Sequence, residues 1–86
     1  MAIFINPHAL ERAAKRGTHE EEIIEVWLSG LTVSAKYGRK GKAKIFDFKA
    51  ERLEQFYEQK RVEIFYIEEG DDIIIITVYV FYGKWE

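Results

Sequence analysis

Residues 72–82 read DIIIITVYVFY, and this stretch decides the fold. Ile73 to Ile76 is apolar on both faces of an extended chain, which places the segment centrally in a sheet. Along it Ile74, Ile76, Val78 and Val80 form an aliphatic face expected to meet helices, leaving Thr77 and Tyr79 on the opposite side. The preceding run, Arg61 to Glu68, reads as its antiparallel neighbour, with Val62 and Ile64 as its core positions. Bringing those two onto the aliphatic face needs an odd number of connecting residues, because a slip of one exchanges faces. A three-residue loop around Gly70 meets that need and a two-residue Gly70-Asp71 turn does not. With the longer loop, Arg61 and Glu63 share the open face with Thr77 and Tyr79.

Working back along the chain, Leu31 to Tyr37 alternates and reads as a half-buried strand. Gly38-Arg39-Lys40-Gly41 is a turn, and Lys42 to Phe48 continues as a second strand. Residues 50–59 fit a short third helix with Leu53, Phe56 and Tyr57 on one stripe; a long hairpin excursion fits as well. The amino-terminal part is helical. Asn6 is a good N-cap, Pro7 suits the first helical position, Ile5 and Leu10 are spaced for a hydrophobic staple, and Gly17 supplies the left-handed stop. A second helix starts at Thr18, with Glu21 placed for a capping box, apolar positions at Ile23, Ile24, Trp27 and Leu28, and Gly30 as its end. The expected fold is α+β: one domain over residues 1–86, two amino-terminal helices packed on an antiparallel sheet of about four strands.

Eighty-six residues make one small core. With no cysteine there is neither a disulfide framework nor a thiolate metal site, and two histidines with scattered acids offer no metal spacing. No cofactor is expected. The longest apolar run is too short to span a bilayer, so a cytoplasmic protein with no membrane partner is the expectation. A net charge of −2 argues against general electrostatic coating of nucleic acid. Residues 36–49 nevertheless hold six cations (Lys36, Arg39, Lys40, Lys42, Lys44, Lys49) against Asp47 alone. That stretch reads either as a local basic patch or as an edge hairpin kept soluble by lysines.

His8, Arg12 and Arg16 are spaced four apart, which stacks one titratable imidazole and two permanent cations on a helical ridge. His19 opens the second helix and is expected to be solvent-exposed.

The opening HALERAAKRGTHEEEIIEV, the strand KRVEIFYIEEGDD and the ending IIIITVYVFYGKWE together resemble the small bacterial and archaeal family known as domain of unknown function 4258. That family is grouped with the RelE/ParE-like toxins of the barnase–EndoU–colicin–RelE fold. The resemblance implies a toxin-like, metal-independent endoribonuclease, or a degenerate descendant acting as a non-catalytic protein-binding module. The family's helical histidine and arginine map onto His8 and Arg12, and its terminal motif onto Thr77, Val78 and Tyr79.

Metal-free RNA cleavage needs a base for the 2′-hydroxyl, an acid for the leaving 5′-oxygen and cations against the phosphorane charge. An imidazole ordinarily titrates close to neutral pH, so His8 suits proton transfer. Arg12 and Arg61 can grip phosphate bidentately, and Tyr79 can donate a proton or stack on a base. His8, Arg12, Arg61 and Tyr79 are therefore the candidate catalytic residues, with Lys36, Arg39, Lys40, Lys44 and Thr77 as candidate RNA contacts. RNA or the ribosome, an antitoxin-like protein, or a second copy of the chain are the expected partners. For the four catalytic candidates to converge, the first helix must lie at a sheet edge.

Overall fold

The computed structural model describes residues 1–85. Its elements are β1 (Ile3–Ile5), α1 (Pro7–Arg16), α2 (Glu20–Ser29), β2 (Leu31–Val33), β3 (Lys40–Arg52), β4 (Gln55–Glu69) and β5 (Asp72–Gly83). The fold is α+β. Its five-stranded sheet has the order β1-β5-β4-β3-β2, with β1 parallel to β5 and the other neighbours antiparallel. The sheet is thus mixed, with one strand more than the alternating patterns suggest. The extra strand is Ile3-Phe4-Ile5, too short to show a period of its own.

Both helices lie on one face. Helix α1 packs on β5 through Ala9 and Ala13, and α2 packs on β3 and β4 through Ile23 and Val26. Beneath them Val62, Ile64, Tyr66, Ile73, Ile75 and Val78 complete the buried core, flanked by Ile3, Ile5, Leu10, Trp27, Phe46 and Val80. Leu28, expected on the apolar stripe of α2, is exposed, and Val26 takes the inward position. No helix among the described residues is long and apolar enough to cross a membrane.

The caps of α1 form as their residue types dictate. Asn6 accepts a hydrogen bond from the His8 amide at 2.8 Å, and Gly17 closes the helix with φ 99°. The start of α2 differs. His19 is its N-cap residue and makes no side-chain cap, while the Thr18 hydroxyl donates to Glu22 at 2.8 Å instead of closing a box with Glu21.

The β4–β5 connection is the two-residue Gly70-Asp71 turn, with Glu69 paired to Asp72. The missing odd residue is supplied within the strand. Phe65 pairs with Thr77 and Tyr66 with Ile75, so Ile76 is an extra residue in a bulge. The bulge exchanges faces part-way along β5. Ile73 and Ile75 point to the helices before it and Val78 after it, in place of the Ile74–Ile76–Val78–Val80 series. Val62 then sits opposite Val80 and Ile64 opposite Val78. Arg61, Glu63, Thr77 and Tyr79 do share the open face, although the loop is shorter than the argument required.

Residues 50–59 form no helix. Ala50, Glu51 and Arg52 pair with Tyr57, Phe56 and Gln55 around a Leu53-Glu54 turn, so β3 and β4 are one long hairpin. Leu53 and Phe56, inward on the helical reading, are exposed, Leu53 by 90%. The segment extends because its partners lie beneath α1. Phe48 and Tyr57 pack against Tyr82, and Arg52 stacks on the same ring. The turn residues Leu53 and Glu54 both adopt left-handed backbone, φ 52° and 66°.

The carboxyl end of α1 is where the layers are fastened. Arg52 donates to the carbonyl of Lys15, Tyr82 to that of Arg16, and Lys60 to that of Gly17. These are carbonyls a helix leaves unpaired, and two of the three donors are cations placed at the negative end of the dipole. Lys60 is buried and also pairs with Glu22 at 2.8 Å. A β-carbon at Gly17 would collide with the Tyr82 hydroxyl, so glycine is required there for space as well as for φ.

Candidate nucleic-acid interface

Strand β2 ends at Val33, short of the Leu31–Tyr37 strand expected from the alternation. Residues 34–39 leave the sheet and arch over its uncovered face. The cleft beneath the arch, about 250 Å³, is lined by Lys36, Tyr37, Arg39, Phe65, Thr77 and Tyr79, together with Ser34 and Ala35. Gly41 allows this packing. A β-carbon there would lie 2.8 Å from the Phe65 ring and 2.9 Å from Val33 Cγ2. Four nominated residues, Lys36, Arg39, Thr77 and Tyr79, therefore meet in one place.

Arg61 is on the same face, one strand over. It is cross-strand partner to Phe81, its Nε donates to Glu63 at 2.9 Å, and Glu63 stands directly opposite Tyr79. A second depression of about 370 Å³ beside it is lined by Arg61, Lys44, Ser29 and Thr32 together with Leu31, Val33, Ala43 and Ile45.

Helix α1 reaches this face at one point. Past Ile75 the outer edge of β5 has no strand partner among the described residues. There Arg16 Nη1 donates to the carbonyl of Val78 at 2.6 Å, and its guanidinium carbon lies 5.1 Å from the centre of the Tyr79 ring. His8 and Arg12 are exposed, line neither depression and make no side-chain hydrogen bond or ion pair among the described residues. The helical step of 100° per residue explains the difference. Positions four apart drift by about 40°, so the ridge turns by about 80° from His8 to Arg16. Arg16 thereby comes within about 20° of the buried Ala9, on the sheet side, whereas His8 lies about 100° from Ala9 and about 140° from Ala13.

The basic stretch is divided by the strand period. Lys40, Lys42 and Lys44 fall on the helix side of β3. Lys40 pairs with Glu68 at 2.9 Å, which raises its pKa. Lys42 donates to the Trp27 carbonyl over the Trp27 ring, and Lys44 binds Glu25 and Ser29. Lys40 and Lys44 therefore lie apart from the cleft that Lys36 and Arg39 overhang. The sequence places Glu63 on the open face but gives it no role, and it names none of Phe65, Phe81 and Arg16 as a site residue. The alternation along Arg61–Phe65 and Thr77–Phe81 carried the signal for the first three, since it places them with Tyr79.

Compared with known protein families, with curated proteins and with solved structures, the chain finds no match.

Proposed function

We propose that the protein binds RNA on the uncovered face of its sheet and acts there as a toxin-like, metal-independent endoribonuclease, with Tyr79 at the centre of the site. The observation that supports this reading is the gathering of Lys36, Arg39 and Arg16 around Tyr79 and Thr77. Three cations beside a phenol and a hydroxyl suit a phosphodiester: the cations offset its charge and the hydroxyl groups donate to its oxygens. Glu63, opposite Tyr79 and held by Arg61, takes the proton of the ribose 2′-hydroxyl in this reading. Tyr79 gives its proton to the departing 5′-oxygen, and Arg16 and Arg61 stabilise the phosphorane. His8 and Arg12 are surface residues of α1 with no part in the reaction.

The test is cleavage of RNA, with ribosomes supplied and omitted, together with growth arrest on expression. Tyr79→Phe and Glu63→Gln should each lower cleavage by about 10²–10⁴-fold, and His8→Ala should leave it unchanged. Absence of cleavage and of growth arrest in the parent removes the catalytic reading.

One observation favours a second reading, a non-catalytic protein-binding module. Four of the eight residues around the second depression, Leu31, Val33, Ala43 and Ile45, are apolar, and Leu31 is 78% exposed. Capture of an antitoxin-like partner from the native host, lost on changing Leu31 and indifferent to Arg16, supports the module. A partner lost on changing Arg16 or Arg61 supports the first reading.

A further inference from the structure

The aromatic side chains of the open face form a row. Tyr79 and Phe81 stand two apart on β5 and so project to the same side. Their ring centres are 6.4 Å apart and their planes differ by 31°. Phe65 meets the Tyr79 ring at 5.8 Å with the planes at 73°, and the Arg16 guanidinium lies over that ring at 5.1 Å. Tyr79 and Phe81 remain 42% and 47% exposed, on a face that neither helix covers. Cations border the row: Arg16 at Tyr79, Arg61 opposite Phe81, and Lys36 and Arg39 at the end formed by Phe65 and Thr77. The carboxylate beside it, Glu63, is already engaged by Arg61.

We propose that Tyr79 and Phe81 are two stacking stations for successive unpaired bases, which makes this face selective for single-stranded RNA over duplex and tolerant of base identity. The proposal rests on the RNA-binding reading above and adds the form of RNA and a residue, Phe81, that the reaction does not use. The physics is general. Every base has a π face, so aromatic platforms hold any of them, whereas a duplex keeps those faces stacked inside its own helix. The bordering cations then track the phosphates of the same strand. An acidic chain can bind RNA this way because Arg16, Lys36, Arg39 and Arg61 border the row, whatever the sign of the net charge elsewhere.

The experiment compares three fluorescein-labelled probes by anisotropy across a salt series: a short mixed-sequence RNA, the same strand annealed to its complement, and an abasic ribose-phosphate chain of equal length. The single strand should bind at least about tenfold tighter than either of the others. Phe81→Ala should weaken its binding by roughly 5- to 150-fold with an unchanged salt dependence, and Phe81→Trp should restore it. Lys36→Ala should weaken all three probes and reduce the salt slope by about 0.7. Thermal melting of Phe81→Ala keeps a folding defect apart from a binding defect. Equal binding of RNA and the abasic chain, or an unaltered affinity in a folded Phe81→Ala, overturns the stacking stations and leaves phosphate binding standing. Failure of all three probes to bind at low salt removes the RNA-binding reading itself, and the stacking stations with it.

Discussion

Tyr82 donates its phenolic hydrogen to the backbone carbonyl of Arg16 at 2.6 Å, tying the last strand to the final turn of the first helix. Burial pushes the phenol above its ordinary value of 10.0, opposed by Arg52 and reinforced by Glu22; burial also raises Tyr66. A group whose folded pKa is raised contributes stability that is complete below its unfolded value and is lost as pH rises through the folded one. The thermal midpoint should therefore decline above pH ~10. Tyr82→Phe should cost about 1 kcal/mol at neutral pH through the lost hydrogen bond, yet show a shallower alkaline decline. Calorimetry across pH measures both.

Lys60 bridges the Gly17 carbonyl and the Glu22 carboxylate with 9% of its side chain exposed. Lys60→Met strands a mostly buried carboxylate and leaves a helix-end carbonyl without its donor. The expected loss is about 3 kcal/mol in urea titration, near the lower end for a broken buried pair because Glu22 keeps the Thr18 hydroxyl. Replacing both partners with apolar residues should recover part of that loss.

Gly41→Ala should destabilise by about 1–3 kcal/mol, since the new methyl group meets the Phe65 ring and Val33. The same change tilts Phe65 away from Tyr79. RNA affinity should therefore fall with no charge altered, which anisotropy on the purified variant measures.

The Leu53-Glu54 turn places two non-glycine residues in left-handed backbone. Asn-Gly suits the same two-residue hairpin without that cost, so the double replacement should raise stability by about 1–2 kcal/mol and shift the urea midpoint upward.

Much of the fold is legible because local chemistry is sufficient for it. Asn6, Pro7 and Gly17 bound α1 by capping alone, and Val62 and Ile64 face the core as their alternation requires. What was missed depends on contacts distant in sequence. Ile3–Ile5 is a strand because Ile73–Ile75 lies beside it, and no period of three residues announces that. The β4–β5 register needed one odd residue, and the bulge at Ile76 supplied it where a longer loop was expected. Residues 50–59 carry a helical stripe, but Tyr82 and the end of α1 draw them into a hairpin. The site was half legible for a related reason. Tyr79, Thr77, Lys36 and Arg39 come together through strand alternation and a turn, whereas the ridge on α1 turns with helical drift and delivers only Arg16.

The parallel pairing of β1 with β5 ties the opening of this chain to a segment some seventy residues later, Ile3 beside Ile73. During synthesis the amino-terminal strand therefore waits without a partner until the last strand has left the exit tunnel. Cooperative folding is deferred to that moment. The latch of Arg16 across β5 and the Tyr79–Phe81 row are assembled together, and the open face comes into being only with the finished sheet.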